Sequence, residues 1–261
     1  PNSRFTLEDG EKFVESKSPN SRFTLEDGEK FVESKSLAHP VKGKLSTHLK
    51  IPHDIVGDIA ILKFPFDMKV GEKKKLGLKF LKEHKNIVTV LEKSGRFKGR
   101  LRKLETKFIA GVKKKETIHK ESGCRFFLNV DETYFSPRLS NERRLVAEKV
   151  KKGDKVLVLF AGVAPFSIVI AKLGKPEKVV SVEINKKASK FAEKNVRLNM
   201  VRGVVDVVQG DVKKVKLKEK FDFIVMPRPN LKDTFLEVAL RFAKKGTRFY
   251  YHGFGTREGV L

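Results

Sequence analysis

Four segments of the chain carry residues that could together hold a nucleotide-like ligand. The small-residue turn 160–165 (FAGVAP) would let backbone approach a ligand closely where a helix begins. Glu183 follows Gly162 by 21 residues, a spacing at which a carboxylate accepts both hydroxyls of a ribose. Asp211 could accept an adenine amino group, and the rigid turn 227–229 (PRP) would face the same crevice. Each acid alone is equally well read as a helix cap or a surface residue, but the four in this order favour a ligand site.

The elements that must position these residues form an alternating pattern. Continuous apolar runs alternate with helical segments after residue 111, which is typical of a parallel sheet covered by helices on both faces. Ligands of such sheets bind at the carboxyl ends of the strands, where the four segments lie. We predict strands at 155–160, 179–184, 204–211, 221–226 and 247–254, and helices at 166–174, in a lysine-rich stretch ending near 198, and at 231–246.

The region before this sheet indicates a small α+β module with a cationic surface. Residues 53–64 (HDIVGDIAILKF) alternate like one strand, 73–85 form an amphipathic helix, and 87–93 form another strand. A basic hairpin follows at 94–105. The stretch 93–103 (KSGRFKGRLRK) is equally well explained as a contact for backbone phosphates and as a solvated basic turn.

The first 36 residues are one 18-residue segment, PNSRFTLEDGEKFVESKS, written twice. Two units are too few to stack a solenoid core, so the exact copy indicates a sequence artefact or a very recent duplication. Each copy could form a short helix after Thr6. We therefore expect three parts: 1–36, artefactual or disordered; 37–110, a small basic RNA-binding domain; and 111–261, the domain with the ligand site.

Charge and composition point to a polyanionic partner. The chain of 261 residues carries 57 Lys plus Arg against 32 Asp plus Glu, a formal charge of +25. A hyperthermophile-like surface would explain many charges but not this imbalance, so nucleic acid is the favoured partner. The single cysteine, Cys124, excludes an internal disulfide, and no apolar run approaches the roughly 20 residues of a membrane span. We expect a soluble, reduced, cytoplasmic protein that needs no metal.

The order of these features resembles the class I S-adenosylmethionine-dependent methyltransferases rather than dehydrogenases. Six segments sharpen this into a resemblance to the archaeal and eukaryotic tRNA (guanine-37-N1)-methyltransferase family: 56–63 (VGDIAILK), 117–126 (TIHKESGCRF), 134–143 (YFSPRLSNER), 159–168 (LFAGVAPFSI), 181–185 (SVEIN) and 210–211 (GD). The resemblance implies a Rossmann-like methyltransferase domain, S-adenosylmethionine as cofactor, and the tRNA anticodon loop as substrate. The sequence MPRP at 226–229 resembles the archaeal branch that also methylates C7 of a wyosine precursor.

Three departures from the family keep other readings open. Val158 stands where the family's first strand carries an acid, and Ala164 stands where its turn has glycine. The chain stops at Leu261, soon after the fifth strand, so either the sequence is truncated or something else covers a hydrophobic sheet edge. The alternatives are a non-catalytic RNA-binding protein with a degraded cofactor pocket, and a methyltransferase acting on another RNA or on a protein amine.

The resemblance also implies roles for individual residues. Arg138 would stabilise the charge that develops on guanine O6 as the N1 proton leaves; its alternatives are binding a phosphate or forming a salt bridge with Glu142. The base stays open between Glu183 and Asp211. Arg143 would contact either the cofactor carboxylate or an RNA phosphate, and His119 is either an RNA contact or a structural group. The cofactor set is Phe160, Gly162, Val163, Glu183, Ile184, Asp211, Val212, Pro227 and Arg143. The RNA set is Arg138, His119, Lys120, Arg228 and Pro229, in a monomeric enzyme.

Overall fold

The computed structural model describes residues 2–7, 13–15, 51–95, 99, 101–227 and 233–254, with only the backbone described at 2–7, 13–15 and 252–254. Its helices and strands fall into three sheets and their covering helices. In chain order they are β1 (Asn2–Leu7), β2 (Phe13–Glu15), β3 (His53–Val56), β4 (Ile59–Leu62), α1 (Val70–Glu83), β5 (Thr89–Lys93), β6 (Thr106–Gly111), β7 (Glu116–Glu121), β8 (Cys124–Asn129), a 3-10 turn (Pro137–Leu139), α2 (Ser140–Glu148), β9 (Lys155–Leu159), α3 (Pro165–Leu173), β10 (Lys178–Glu183), α4 (Lys186–Leu198), β11 (Val205–Gln209), β12 (Phe221–Met226), α5 (Leu236–Leu240) and β13 (Ala243–Phe254).

The main sheet has the order β11-β10-β9-β12-β13-β1-β2, and its first five strands run parallel. After Lys155, the central strand β9 is apolar because both of its faces are buried. Val156 and Val158 pack in the layer with α2, α3 and α4, whereas Leu157 and Leu159 pack in the layer with α5. The prediction of a parallel sheet covered on both faces is therefore confirmed.

The predicted helix 231–246 is wrong over most of its length. Only α5 is helical there, and β13 already begins at Ala243, which pairs with Phe221 of β12. The amide of Phe221 donates to the carbonyl of Phe242 at 3.0 Å. Pairing with β12 thus makes residues from Ala243 onward a strand, although their local sequence favours a helix. The structure does not describe 228–232.

The first 18-residue copy is not helical where it is described. β1 pairs antiparallel with β13, Arg4 lying opposite His252, and β2 pairs with β1. The sequence between them contains Asp9-Gly10, a hairpin signal that the helix prediction passed over. The side of β13 away from β12 is the sheet edge that the sequence analysis expected something else to cover, and β1 pairs with it.

The smaller sheet, β3-β4-β5-β6, contains a hairpin where one strand was predicted over 53–64. Gly57 forms the turn at φ 58°, and a Cβ atom on it would lie 2.1 Å from Thr117 Oγ1. The predicted helix is confirmed as α1. The antiparallel pair is β5 with β6, and the predicted hairpin 94–105 falls in the connection between them, whose described residues form no strand. The hairpin β7–β8 and helix α2 were not predicted.

One hydrophobic core joins the smaller sheet to the main sheet. Ile59, Ile61 and Leu91 belong to the same buried cluster as Phe126 of β8 and Val158 of β9. The opposite face of the smaller sheet packs against α1. Within the described residues, no helix has the length and apolarity needed to cross a membrane.

Candidate active site

The turn after β9 is built from residues in the left-handed region of backbone space. Phe160, Gly162 and Ala164 have φ angles of 58°, 59° and 64°. The amide of Ala164 donates to the carbonyl of Ala161 at 2.9 Å, and Pro165 then opens α3. Ala164 therefore keeps the conformation that glycine adopts most easily, so this departure from the family pattern leaves the turn intact.

Glu183 at the end of β10 ties this turn to the neighbouring strand. Its carboxylate accepts hydrogen bonds from the amides of Gly162 and Asn185, both at 2.7 Å. The residue is only 8% exposed, and this burial raises the pKa of Glu183 although the backbone amides oppose the shift. Each carboxylate oxygen keeps a second lone pair, so the pair of oxygens can still accept the two hydroxyls of a ribose.

Asp211 follows Gly210, whose amide donates to the carbonyl of Glu183 at 2.9 Å, so the ends of β10 and β11 are neighbours. Asp211 is partly buried, and its Oδ1 accepts from the amide of Lys213 at 3.0 Å. Val212, which follows Asp211, is buried, and Ile184, which follows Glu183, is half-buried. The ends of β9, β10 and β11 thus converge as the sequence predicts.

The rest of the predicted cofactor set lies at the same edge of the sheet, apart from Arg143. Val163 is fully buried, and its carbonyl accepts from Asn195 Nδ2 at 3.1 Å. Pro227 is half-buried and follows β12, whereas Arg228 and Pro229 lie outside the described residues. Phe160 contacts Phe235 edge to face, with 5.0 Å between ring centroids, an apolar wall that sequence reasoning did not identify.

The segment 132–138 crosses in front of the glycine turn. Asn185 Nδ2 donates to the carbonyl of Glu132 at 2.9 Å and to that of Leu101 at 3.2 Å. The carbonyl of Tyr134 lies 3.4 Å from the position that a Cβ on Gly162 would take. One asparagine, placed by the start of α4, therefore holds two segments against the candidate ligand site.

Arg138 lies on this segment and is exposed. Its Nε donates to Asp54 Oδ1 of β3 at 2.7 Å, and 71% of its side chain is accessible to solvent. A guanidinium this exposed can exchange a surface ion pair for a substrate oxygen at small cost, since exposed ion pairs contribute little to stability. The position is compatible with the predicted contact to substrate.

The prediction that Arg143 contacts a cofactor or a phosphate is wrong. Its side chain is 1% exposed and donates to both oxygens of Glu121, at 2.5 and 2.7 Å, and to the carbonyl of Ser136 at 3.0 Å. The guanidinium also lies over the rings of Phe135 and Phe166. All of these partners are internal, so Arg143 holds the loop rather than a ligand.

The prediction that His119 contacts RNA is also wrong. Its Nδ1 accepts from the amide of Gly57 at 3.1 Å, its Nε2 lies 3.5 Å from Glu121, and its ring packs on Phe135. Only 14% of the side chain is exposed, which supports the structural alternative. Lys120, the next residue along β7, is exposed.

Two residues outside the predicted site set lie close to the same segment. The guanidinium of Arg102 lies 4.3 Å from the ring centroid of Tyr134, and Arg102 itself has a φ of 51°. Glu142, in the first turn of α2, is a half-buried carboxylate four residues after Arg138. The only sequence signal for Arg102 was its place in the basic run 93–103.

In the described part of the chain, no three metal-binding side chains cluster.

Comparison with known proteins agrees with this geometry. The family model described as the TRM5/TYW2 methyltransferase domain matches residues 117–261. The tRNA (guanine(37)-N(1))-methyltransferase Trm5b of Pyrococcus abyssi is 40% identical over 215 residues, 82% of this chain and 63% of that protein. The tRNA 4-demethylwyosine(37)-methyltransferase Taw21 of Saccharolobus solfataricus is 34% identical over 193 residues, 74% of each chain.

A solved structure extends the likeness to three dimensions. The complex of aTrm5 and tRNALeu matches with a TM-score of 0.73 at 30% identity, covering 78% of this chain and 60% of that one. The class I methyltransferase fold expected from the sequence is therefore confirmed. The chain spans less than two thirds of the length of both Trm5b and aTrm5.

Proposed function

Because the chain belongs to the TRM5/TYW2 methyltransferase family, we propose that it methylates N1 of guanosine 37 in the anticodon loop of tRNA. S-adenosylmethionine supplies an electrophilic methyl group when bound. The observation that carries the proposal is the Glu183 carboxylate, fixed by the amides of Gly162 and Asn185 beside Asp211. An ordered carboxylate at this strand end supports binding of a ribose and an adenine there, and it favours the enzyme over the alternative of a degraded pocket.

The residues that would hold the cofactor lie around this carboxylate. Glu183 would accept the ribose hydroxyls and Asp211 the adenine amino group. Gly162 would let the backbone approach, while Phe160 and Val212 supply apolar surface. Ile184, Val163 and Pro227 complete the set. Arg143 no longer belongs to it because its donors are engaged internally.

Two arginines are candidates for stabilising negative charge on guanine O6 as the N1 proton leaves. Arg138 is exposed and, among the described residues, pairs only with Asp54, so it is available to a substrate. Arg102 lies over Tyr134 and beside the site, and is the second candidate. The proton acceptor is to be sought among Glu183, Asp211 and the half-buried Glu142, and the raised pKa of Glu183 favours proton uptake there.

The target base must leave its stack in the loop to reach the site, at a cost of a few kcal/mol. Lys120, on the exposed side of β7, would bind RNA phosphates, and Arg228 with Pro229 would contact the extruded base. His119 does not belong to this surface. The likeness to Taw21 supports C7 of a wyosine precursor as a second target at the same nucleotide. We further propose that the enzyme acts as a monomer in the cytoplasm.

The test is transfer of label from methyl-labelled S-adenosylmethionine to tRNA transcripts with guanosine or adenosine at position 37. We expect label only on the guanosine transcript, with activity reduced at least about tenfold in Arg138→Ala or Arg102→Ala, whichever arginine contacts O6. Arg144→Ala is the matched control, because Arg144 is exposed on α2 and pairs only locally with Glu148 and Asn141. No label on either transcript, with no calorimetric binding of cofactor, would support the RNA-binding alternative.

A further inference from the structure

The outer surface of α1 and the loop before it expose apolar side chains among lysines. Phe66 is 104% exposed, Val70 77% and Leu78 47%. Together with Lys74 these residues are called the α1 surface below. A phenylalanine ring lying entirely in water is uncommon in a folded protein, and exposed apolar groups framed by charge mark interaction sites.

The side chains of the α1 surface are open to solvent. Val70, Lys74 and Leu78 are spaced by four residues, so they form one row along the helix, and Lys74 is also exposed. Gly77, one residue before Leu78, lies at the inner edge of this row, where a Cβ would meet Ile109 at 2.8 Å and the Cβ of Ala110 at 3.2 Å. The smaller sheet thus covers the helix up to Gly77 and leaves about half or more of the Phe66, Val70 and Leu78 side chains in water.

The charge around this row identifies the class of partner. Residues 63–85 contain eight lysines and three acidic residues. Lys79 lies 3.7 Å from Glu83, but in the described part of the chain no carboxylate lies within ion-pair distance of Lys74, Lys75 or Lys82. The Phe66 ring is surrounded by lysines rather than by other large apolar groups. This combination fits a nucleic acid with unstacked bases better than it fits a broad apolar protein surface.

We propose that the α1 surface binds an unpaired segment of the tRNA, with one base stacked on Phe66 and the backbone phosphates on the lysines. This rests on tRNA being the substrate proposed above. The α1 side of the smaller sheet is opposite the face that joins the main core. The contact thus lies outside the methylated loop and contributes to tRNA affinity rather than to the chemical step.

The experiment is direct binding of full-length tRNA to the whole chain, without cofactor, as a function of salt. Phe66→Ala should weaken binding about 5- to 140-fold, the range of one lost base–aromatic stack, with an unchanged salt slope. Phe66→Tyr should retain affinity, whereas Phe66→Leu should not, because leucine keeps apolar area but no ring. Lys74→Ala should reduce the salt slope by about one.

Met200→Ala is the matched control, since Met200 is 82% exposed at the end of α4 in the main domain. Unchanged tRNA affinity in Phe66→Ala would overturn the proposal, as would full affinity in Phe66→Leu. Concentration-dependent self-association that Phe66→Ala abolishes would instead assign the surface to a second copy of the chain. Because binding is measured without methyl transfer, failure of the proposed activity and failure of this contact are distinguished.

Discussion

The guanidinium of Arg143 and the carboxylate of Glu121 form a two-pronged ion pair whose side chains are 1% and 4% exposed. Arg143 also donates to the carbonyl of Ser136, two residues before Arg138. The pair joins β7, α2 and the segment that carries the candidate O6 contact. Arg143, which the sequence assigned to ligand binding, therefore helps to position Arg138.

Breaking this pair should be costly. Glu121→Ala leaves the Arg143 guanidinium buried without its counter-charge, which typically costs about 3–5 kcal/mol of unfolding free energy. Arg144→Ala, one residue along the same helix and exposed, should change it by less than about 0.5 kcal/mol. Urea unfolding measures both. Equal and small effects would contradict the role assigned to Glu121.

The same pair should make stability depend on acid pH. Burial alone would raise the pKa of Glu121, but hydrogen bonds from His119 and Arg143 hold the pKa below the ordinary glutamate value. Glu121 therefore adds stability that is fully present above the ordinary value and is lost as pH falls through the lowered pKa. In Glu121→Gln this part of the acid dependence should disappear from the unfolding free energy measured between neutral and acid pH.

Glu183 should make cofactor binding weaken in acid too, but through a raised rather than a lowered pKa. Its buried carboxyl has a raised pKa, and only the ionised form can accept both ribose hydroxyls. Affinity for S-adenosylmethionine should fall as pH drops through this raised pKa, by about tenfold per unit well below it. Glu183→Gln should bind weakly at every pH, without that slope. Calorimetric titration at several pH values checks this, and a flat profile in the unmodified protein would exclude Glu183.

Gly57 should tolerate no side chain. Gly57→Ala would place a Cβ 2.1 Å from Thr117 Oγ1 and 2.6 Å from the carbonyl oxygen of Ile118, in left-handed backbone, and should cost more than about 2 kcal/mol. Gly71→Ala, in the first turn of α1 with no atom within 4 Å, should be neutral or slightly stabilising. Thermal unfolding of both variants provides the comparison.

Asp54 should act as a positioning residue for Arg138. Asp54→Asn weakens an exposed ion pair and should change stability by less than about 1 kcal/mol. If Arg138 contacts the substrate, kcat for methyl transfer should fall severalfold while the KM for cofactor is unchanged. A variant with unchanged kcat would show that the pair has no part in the reaction.

The positions of the parallel strands in the main sheet could be predicted because buried parallel strands are mostly apolar, as in 156–159 of β9 and 179–182 of β10. It failed where long-range contacts override local pattern. Pairing with β12 converts the end of the predicted helix 231–246 into strand. Residues 53–64 look like one strand because apolar and polar positions alternate, and the turn at Gly57 depends on a neighbour 60 residues away.

The candidate site shows the same division. Glu183 and Asp211 could be placed from spacing, since the ends of parallel strands meet at one edge. The burial of Arg143 could not, because arginine is rarely buried and its partner Glu121 lies 22 residues away in the hairpin β7–β8, which was not predicted.

The core shared by the smaller and main sheets makes them one cooperative unit. Cutting the chain between them would leave Ile59, Ile61 and Leu91, all buried in the shared cluster, facing water. The smaller sheet on its own would then expose apolar surface that the whole protein buries. We therefore expect the smaller sheet and the main sheet to unfold together in a single transition.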